Sequence, residues 1–459
     1  MLDILIITLY HIIVLTLRAG GIKMAKKFII FACMSLLAGV PCSAAIITVD
    51  PNGSADYTTI QAAINDANDF DTVIVADGTY TGLGNRNIDF LGKPITIKSA
   101  NGPQNCIIDC QGSYGNYHRG FYFHNDEGPD SILDGLTITN GLEGYDPAQG
   151  GGIKIDSSSP TIQNCVISDN TISSTYSALG GGIFLRDSLS LIENCIISNN
   201  SVDANPDESG DSEGGGIFLW SSDVTIRNCI IAGNSSKEGS GGGIYGGNNT
   251  PVITNCTIID NKCETWSGFG NAFGGGLFDC DGPITNCIIR NNVAEDGGDQ
   301  LYESSTPTYS CIQDWTGSGI GNIDTNPFFA DLGNGDYHLK SQSGRWDPNS
   351  ESWVLDDVTS PCIDAGDPNS DWTQELWPHG KRINMGTYGN TPEASMSLSD
   401  IGNIADLNND DVVDLVDFSI FCDEWPDDKA LLKQDLDRNG LVDLRDLNIM
   451  SFNWLWAEQ

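Results

Sequence analysis

Positive charge is scarce in this chain. Only 22 Lys and Arg stand against 62 Asp and Glu in 459 residues, a formal net charge of −40. Nucleic acid and anionic membrane are therefore poor partners, because both are held by cations. Histidine is scarcer still, with five residues. None accompanies the cysteines, which argues against a His/Cys metal site. Charged residues of both signs are only 18% of the chain, below the usual quarter or so. After the first 45 residues no apolar run is long enough to cross a bilayer. What is abundant is glycine, 53 residues. The glycines are periodic, so a repeat architecture explains them better than low complexity does.

The N-terminus reads as a secretory leader. Lys26 and Lys27 follow Met24, Phe28 to Val40 is apolar, and Ser43-Ala44-Ala45 supplies small residues for cleavage before Ile46. Met24 reads as the start, residues 1–45 are set aside from the fold, and the protein is expected to be secreted or extracellular, free or attached to a cell surface. That is the compartment in which cysteines pair.

One block recurs five times, opening at Gly150, Gly180, Gly214, Gly241 and Gly274. The first reads GGGIKIDSSSPTIQNCVISDN. From first glycine to cysteine the spacing is 15 residues in four copies and 13 in the last; from cysteine to the next glycines it is 15, 19, 12 and 18. A fixed half is packed structure and a variable half is surface loop. The fixed half alternates β-branched residues with period two, which is strand chemistry. One repeat cannot bury its own faces, so successive coils must stack as a parallel β-helix. Degenerate coils appear at Cys106–Ile108, Phe121–Phe123, Thr137–Ile138 and Cys311–Ile312. Thr59 to Ala67 reads as a short amphipathic helix capping the open end of a first coil whose strand is Thr72 to Val75.

These repeats resemble the right-handed parallel β-helix proteins of the pectin lyase-like superfamily over roughly residues 46–395. The resemblance implies an all-β solenoid over residues 46–319 and a C-terminal cap over 320–390. It also implies a role on extracellular polysaccharide, as lyase, hydrolase or esterase, or as a non-catalytic surface or adhesion protein. The esterase Gln/Asp/Arg segments, the Asn-Thr-Asp and Gly-His-Gly segments of polygalacturonases and the Arg-x-Pro-x-x-Arg of pectate lyases are not in this sequence. No catalytic residue therefore carries over.

Stacking turns sequence positions into columns. Cys106, Cys165, Cys195, Cys229, Cys256, Cys287 and Cys311 should face inward beside isoleucines, as reduced, packed thiols rather than disulfides. Two asparagine columns should form amide ladders: Asn164, Asn194, Asn228, Asn255, Asn286 and Asn170, Asn200, Asn234, Asn261, Asn292. With Ile153, Ile183, Ile217, Ile244 and Leu277 pointing in, the next position points out. It reads Tyr122, Lys154, Phe184, Phe218, Tyr245, Phe278; two residues on stand His124, Asp156, Arg186, Trp220, Gly247 and Cys280. Loop aromatics Tyr176, Trp266, Phe269 and Phe273 should rim the same face. An outward aromatic row is either covered by those loops or lines a sugar-stacking groove. In the second case Tyr122, Phe184, Phe218, Trp220, Tyr245 and Phe278 are substrate-binding, and His124, Lys154, Asp156 and Arg186 are the catalytic candidates. A uronate lyase needs a cation on the carboxylate and a base at C5: Lys154 or Arg186 supplies those, with His124 as acid. A hydrolase needs two carboxyls, and Asp156 has no evident partner.

Residues 391–404 read as a linker, and 405–459 as a separate calcium-binding module. Asp406, Asn408, Asp410, Val412, Asp414 and Asp417 form one oxygen-rich loop; Asp435, Asp437, Asn439, Leu441, Asp443 and Asp446 form another 29 residues on. Val412 and Leu441 contribute backbone carbonyls, the others side-chain oxygens, the pattern of an EF-hand Ca²⁺ loop. An apolar helix follows each. The pair resembles dockerin modules, which implies an EF-hand-like, α-helical unit and a cohesin-type partner. The sixth position of the first loop is Asp411 where glycine is usual, so that turn is expected to be strained.

Overall fold

The computed structural model describes residues 44–145, 147–204, 212–265, 271–429 and 431–457. The expected leader, Trp266 and Phe269 lie outside them. Residues Ile46–Gln459 form one compact unit, a right-handed parallel β-solenoid of about eight turns. No described helix is long and apolar enough to cross a membrane.

Three parallel sheets run the length of the solenoid. The first has nine strands, from Ile46–Val49 to Ile284–Thr285; the second has nine, from Gly78–Tyr80 to Cys311–Ile312; the third has eight, from Ile88–Asp89 to Leu301–Tyr302. Their inward residues make one continuous core that includes Ile153, Ile183, Ile217, Ile244, Leu277 and the cysteine column from Cys106 to Cys287. The column cysteines are all free and buried. Burial pushes the Cys106 and Cys110 thiols up to about 12, so they pack as neutral side chains. Cys195 Sγ lies 3.2 Å from Glu193 O, a local contact repeated by Cys165 and Cys229.

The helix α1 (Ile60–Asp66) buries Ile60, Ala63 and Ile64 against the first coils. The opening strand is not Thr72–Val75, however. Ile46–Val49 pairs with it in parallel and adds a strand outside it. Three of its four residues are apolar, enough to serve as an edge strand under the helix.

The glycine triplets permit close approach between coils. Gly150 has φ +66°, and a Cβ on Gly151 would meet Gly181 O at 2.4 Å. A Cβ on Gly152 would meet Asn170 Nδ2 at 2.9 Å, so the last glycine makes room for a buried amide. The five asparagines from Asn170 to Asn292 do form a ladder. Each Nδ2 donates to the next Oδ1, from Asn170–Asn200 (3.0 Å) to Asn261–Asn292 (2.9 Å), and also to a backbone carbonyl of the preceding coil. The other asparagine column is not a continuous ladder. Asn164, Asn194, Asn228, Asn255 and Asn286 sit at left-handed corners, φ +51° to +57°, a conformation that asparagine tolerates better than most residues. Asn286 Nδ2 donates to Asn255 Oδ1 (3.2 Å) and Asn164 Nδ2 to Asp134 Oδ1 (2.7 Å), while the Asn228 amide turns sideways.

That orientation explains the cap. Residues 320–390 were expected to cover the last coil, and Cys362 and Met385 do pack with Cys311. The segment also runs back along the flank. Asn228 Nδ2 donates to Thr387 O and Gly389 O (both 2.8 Å), and Thr387 Oγ1 donates to Cys229 O (2.8 Å). The cap supplies partners to the corner amides of Asn228, Asn255 and Asn286.

Candidate functional site

The outward row of the third sheet has the register expected from alternation. Asp89, Tyr122, Lys154, Phe184, Phe218, Tyr245, Phe278 and Tyr302 are successive partners, and Asp156, Arg186 and Trp220 form the adjacent column. The aromatic rings stack from Phe184 to Tyr302 with centroids 5.1–5.8 Å apart. Gly247 and Cys280 do not continue the second column. The register shifts between Tyr245 and Asn249, and Cys280 turns into the core.

Phe184 and Phe218 are 0% and 2% exposed, so neither contacts substrate as expected. The residues before the first three glycine triplets form a small sheet of their own, Ala148–Gln149, Ala178–Leu179 and Ser212–Glu213, and Leu179 covers both rings. Tyr122, Tyr245 and Phe278 are half-buried, and Trp220 is 55% exposed. Phe273 stacks on Tyr302 at 4.4 Å, while Tyr176 is exposed. The row is thus covered in its middle and open on either side.

The N-terminal open end gathers the charge. Lys154 Nζ lies 5.1 Å from the Tyr122 ring centre and 5.8 Å from that of Phe184. The His124 ring stacks on Tyr122 at 3.9 Å, and its Nε2 lies 3.2 Å from Asp89 Oδ2. Asp156 is engaged by both Nε (2.8 Å) and Nη2 of Arg186. Burial opposes ionisation of Asp156, but the Arg186 hydrogen bonds and charge outweigh it and hold the carboxyl below its usual range. Burial, then the Arg119 charge, pulls the Lys154 ammonium below the ordinary lysine value. Arg119, Glu143 and Asp89 complete the cluster and were not singled out in the sequence. Arg119 pairs with Glu143 (3.0 Å) and lies 5.5 Å from the Tyr122 ring. They sit just outside the regular repeat or in its most degenerate coil, where column counting has no anchor; Arg119, next to the strand Phe121–Phe123, was the one within reach.

The two C-terminal loops are built alike. Asp406 accepts from Asp410 N and Asp411 N, and Asp435 from Asn439 N and Gly440 N. Asp417 accepts from Leu407 N, Asn408 N and Asp414 N, and Asp446 from Leu436 N, Asp437 N and Asp443 N. Asp414 and Asp443 cap the helices α2 (Leu415–Asp423) and α3 (Leu444–Phe452). In the second loop Asp435, Asp437 and Asp446 bring one carboxylate oxygen each within 4.8 Å of the others, a donor set of hard oxygens that fits a calcium ion. Asp411 has φ +70° where Gly440 has +86°, so the first loop carries the strained turn.

The sequence model for the right-handed β-helix region matches residues 47–208 and 171–327. The chain belongs to the right-handed β-helix family. No curated protein matches it. Among solved structures, this β-helix protein is similar to pectate lyase Pel9A, at 16% identity and TM-score 0.35 over 75% of this chain and 96% of that one. It is also similar to pectin methylesterase from carrot (13%, TM-score 0.32, 62% and 91%) and to pectin methylesterase PemA from Erwinia chrysanthemi (10%, TM-score 0.29, 61% and 80%).

On this β-helix Trp220 is the most exposed aromatic of the two outward columns. Trp220→Ala is expected to leave the melting temperature nearly unchanged and to weaken oligosaccharide binding by roughly 1–3 kcal/mol, the range of stacking on an exposed aromatic. Calorimetric titration with a glycan panel and thermal melting on one variant check it. A large melting shift with unchanged binding would remove Trp220 from the site.

Proposed function

We propose that this is a secreted protein whose third-sheet face takes an acidic polysaccharide around Lys154 and opens it by β-elimination. The observation that carries the reading is the Lys154 ammonium. It lies between two rings, drawn below the ordinary lysine value, and no hydrogen bond or ion pair engages it among the described residues. In its neutral form the Lys154 amine takes the proton from C5 of a uronate. The electron pair forms the C4–C5 double bond, the C4–O4 bond breaks, and the departing oxygen takes a proton from His124. Arg119 and Arg186, each with donors beyond its own ion pair, supply positive charge to the uronate carboxylate. Incubation with a panel of acidic and neutral polysaccharides, following unsaturated products and new reducing ends, tests it. Reducing ends without unsaturation would replace elimination with hydrolysis.

A second reading rests on a different observation. Asp89, Glu143 and Asp156 are all ion-paired, which suits a rigid non-catalytic surface or adhesion protein. Glycan binding without either product supports it.

The C-terminal loops are read as Ca²⁺ sites of a dockerin-like module that attaches the protein to a cohesin-type partner. The paired loop geometry and the carboxylate cluster of the second loop support this. Calcium binds ligands that otherwise repel one another, so its binding energy becomes folding energy. Saturating calcium, about a thousandfold over Kd, is expected to stabilise residues 405–457 by about 4 kcal/mol. Scanning calorimetry with and without chelator checks it, and superimposable traces would refute the assignment.

A further inference from the structure

The C-terminal module is not a free appendage. Arg438 Nη2 donates to Trp377 O of the cap (3.1 Å), and Lys381 of the cap is ion-paired with Asp411. Between the two lies a cavity of about 220 Å³, lined by Glu375, Trp377, His379, Leu432 and Arg438 among others. Among the described residues only three buried side-chain nitrogen or oxygen atoms have no hydrogen-bond partner: Arg119 Nη1, His379 Nδ1 and Arg438 Nε. Two of the three belong to residues that line this one cavity. His379 is only 5% exposed, held with its ring 4.5 Å from that of Trp372.

The chemistry of the wall favours an anion over water alone. The other nitrogens of Arg438 donate to carbonyls only, Leu432 O, Asp435 O and Trp377 O. No carboxylate is ion-paired with it among the described residues. A charge taken out of water without a counter-ion is costly. Two carboxylates share the wall: Asp406 is turned to the backbone N–H groups of Asp410 and Asp411 in its own loop, and Glu375 does not compensate. Its Oε1 accepts from Asn384 N and Asn390 N, and burial pushes its carboxyl up to about 8, neutral at pH 7. The cavity therefore holds two unsatisfied nitrogens and a guanidinium that no carboxylate touches, Asp435 and Asp446 of the second loop acting on it only through their charge.

The geometry points to a binding site for a small oxyanion, a carboxylate or a tetrahedral anion, held between Arg438 Nε and His379 Nδ1 at the junction of cap and C-terminal module. The site lies apart from the polysaccharide face and does not depend on that reading. Bound there, the anion joins the two parts of the chain.

Titration calorimetry of the full-length protein in calcium, with malonate and with selenate at constant ionic strength, tests the proposal. Saturable binding of either is expected, and which one binds separates a carboxylate ligand from a tetrahedral one. Arg438→Gln is expected to weaken it about tenfold or more, the worth of one charge-assisted hydrogen bond. Should that variant misfold, His379→Phe keeps the ring against Trp372 and removes Nδ1, with the same expectation. A crystal soaked in selenate should show the selenium anomalous signal beside Arg438. No binding by the native protein, unchanged binding by a folded variant, or water alone in the soaked cavity would overturn the site.

Discussion

Asn234→Ala is expected to cost about 3–5 kcal/mol of stability, the loss of four buried hydrogen bonds at about 1 kcal/mol each with imperfect additivity. Asn234 Oδ1 accepts from both Asn200 N and Asn200 Nδ2 (each 3.0 Å). Its Nδ2 donates to Ile197 O (2.8 Å) and Asn261 Oδ1 (2.9 Å). Alanine removes all four bonds in a place with no solvent, since Asn234 is 0% exposed; Asn200 N loses its acceptor, while Asn261 Oδ1 keeps Asn234 N and Asn200 Nδ2 keeps Ile167 O. Aspartate at this position is no remedy: it accepts but cannot donate, and it buries a charge. Denaturant unfolding of the native and variant proteins checks this. A cost below about 1 kcal/mol would show that the ladder only fills space.

Lys154→Ala is expected to lower the elimination rate by roughly 10²–10⁴-fold, the usual contribution of a general base. Stability should change little, because an ammonium–ring contact is worth only about 0.5–1 kcal/mol at a partly exposed site. The pH profile carries the sign. The active form pairs a neutral Lys154 with a protonated His124, so the rate passes through a maximum with pH. Burial and Arg119 place the Lys154 pKa below the ordinary lysine value of about 10.4. Arg119→Gln removes the second of those influences and should move the limb set by Lys154 towards higher pH. A native-like rate in Lys154→Ala would assign the base elsewhere. If the native protein binds the polysaccharide without cleaving it, the second reading stands, and Lys154→Ala should then weaken binding alone.

The coiled architecture and most of its columns are legible in the sequence because stacking repeats each coil's environment. A residue type recurring at fixed spacing must meet the same surroundings in every turn. That reasoning identified the inward isoleucines and cysteines, the Asn170–Asn292 ladder, and the register that sets Lys154 beside Phe184 and Asp156 beside Arg186. It also located the two oxygen-rich C-terminal loops, whose spacing is local. It misassigned the Asn164–Asn286 column, because an amide at a left-handed corner and one in a ladder have the same spacing. It also carried the second outward column past Trp220 to Cys280, where a register shift breaks the alternation.

Exposure was decided by tertiary structure alone. Alternation says that Phe184 and Phe218 point out of the sheet, but whether outward means wet depends on the variable loops. Only the fold shows Leu179 and its short sheet lying over both rings. Pairing was decided the same way. Asp89, Glu143 and Arg119 join the site from coils that keep no repeat, and Asp156 is committed to Arg186. The junction of Arg438 with Trp377 brings together residues 61 positions apart, in segments the sequence reads as separate domains. Periodicity reports the environment that a repeated residue shares with its copies; contacts between non-equivalent segments leave no period, so only the folded chain reveals them.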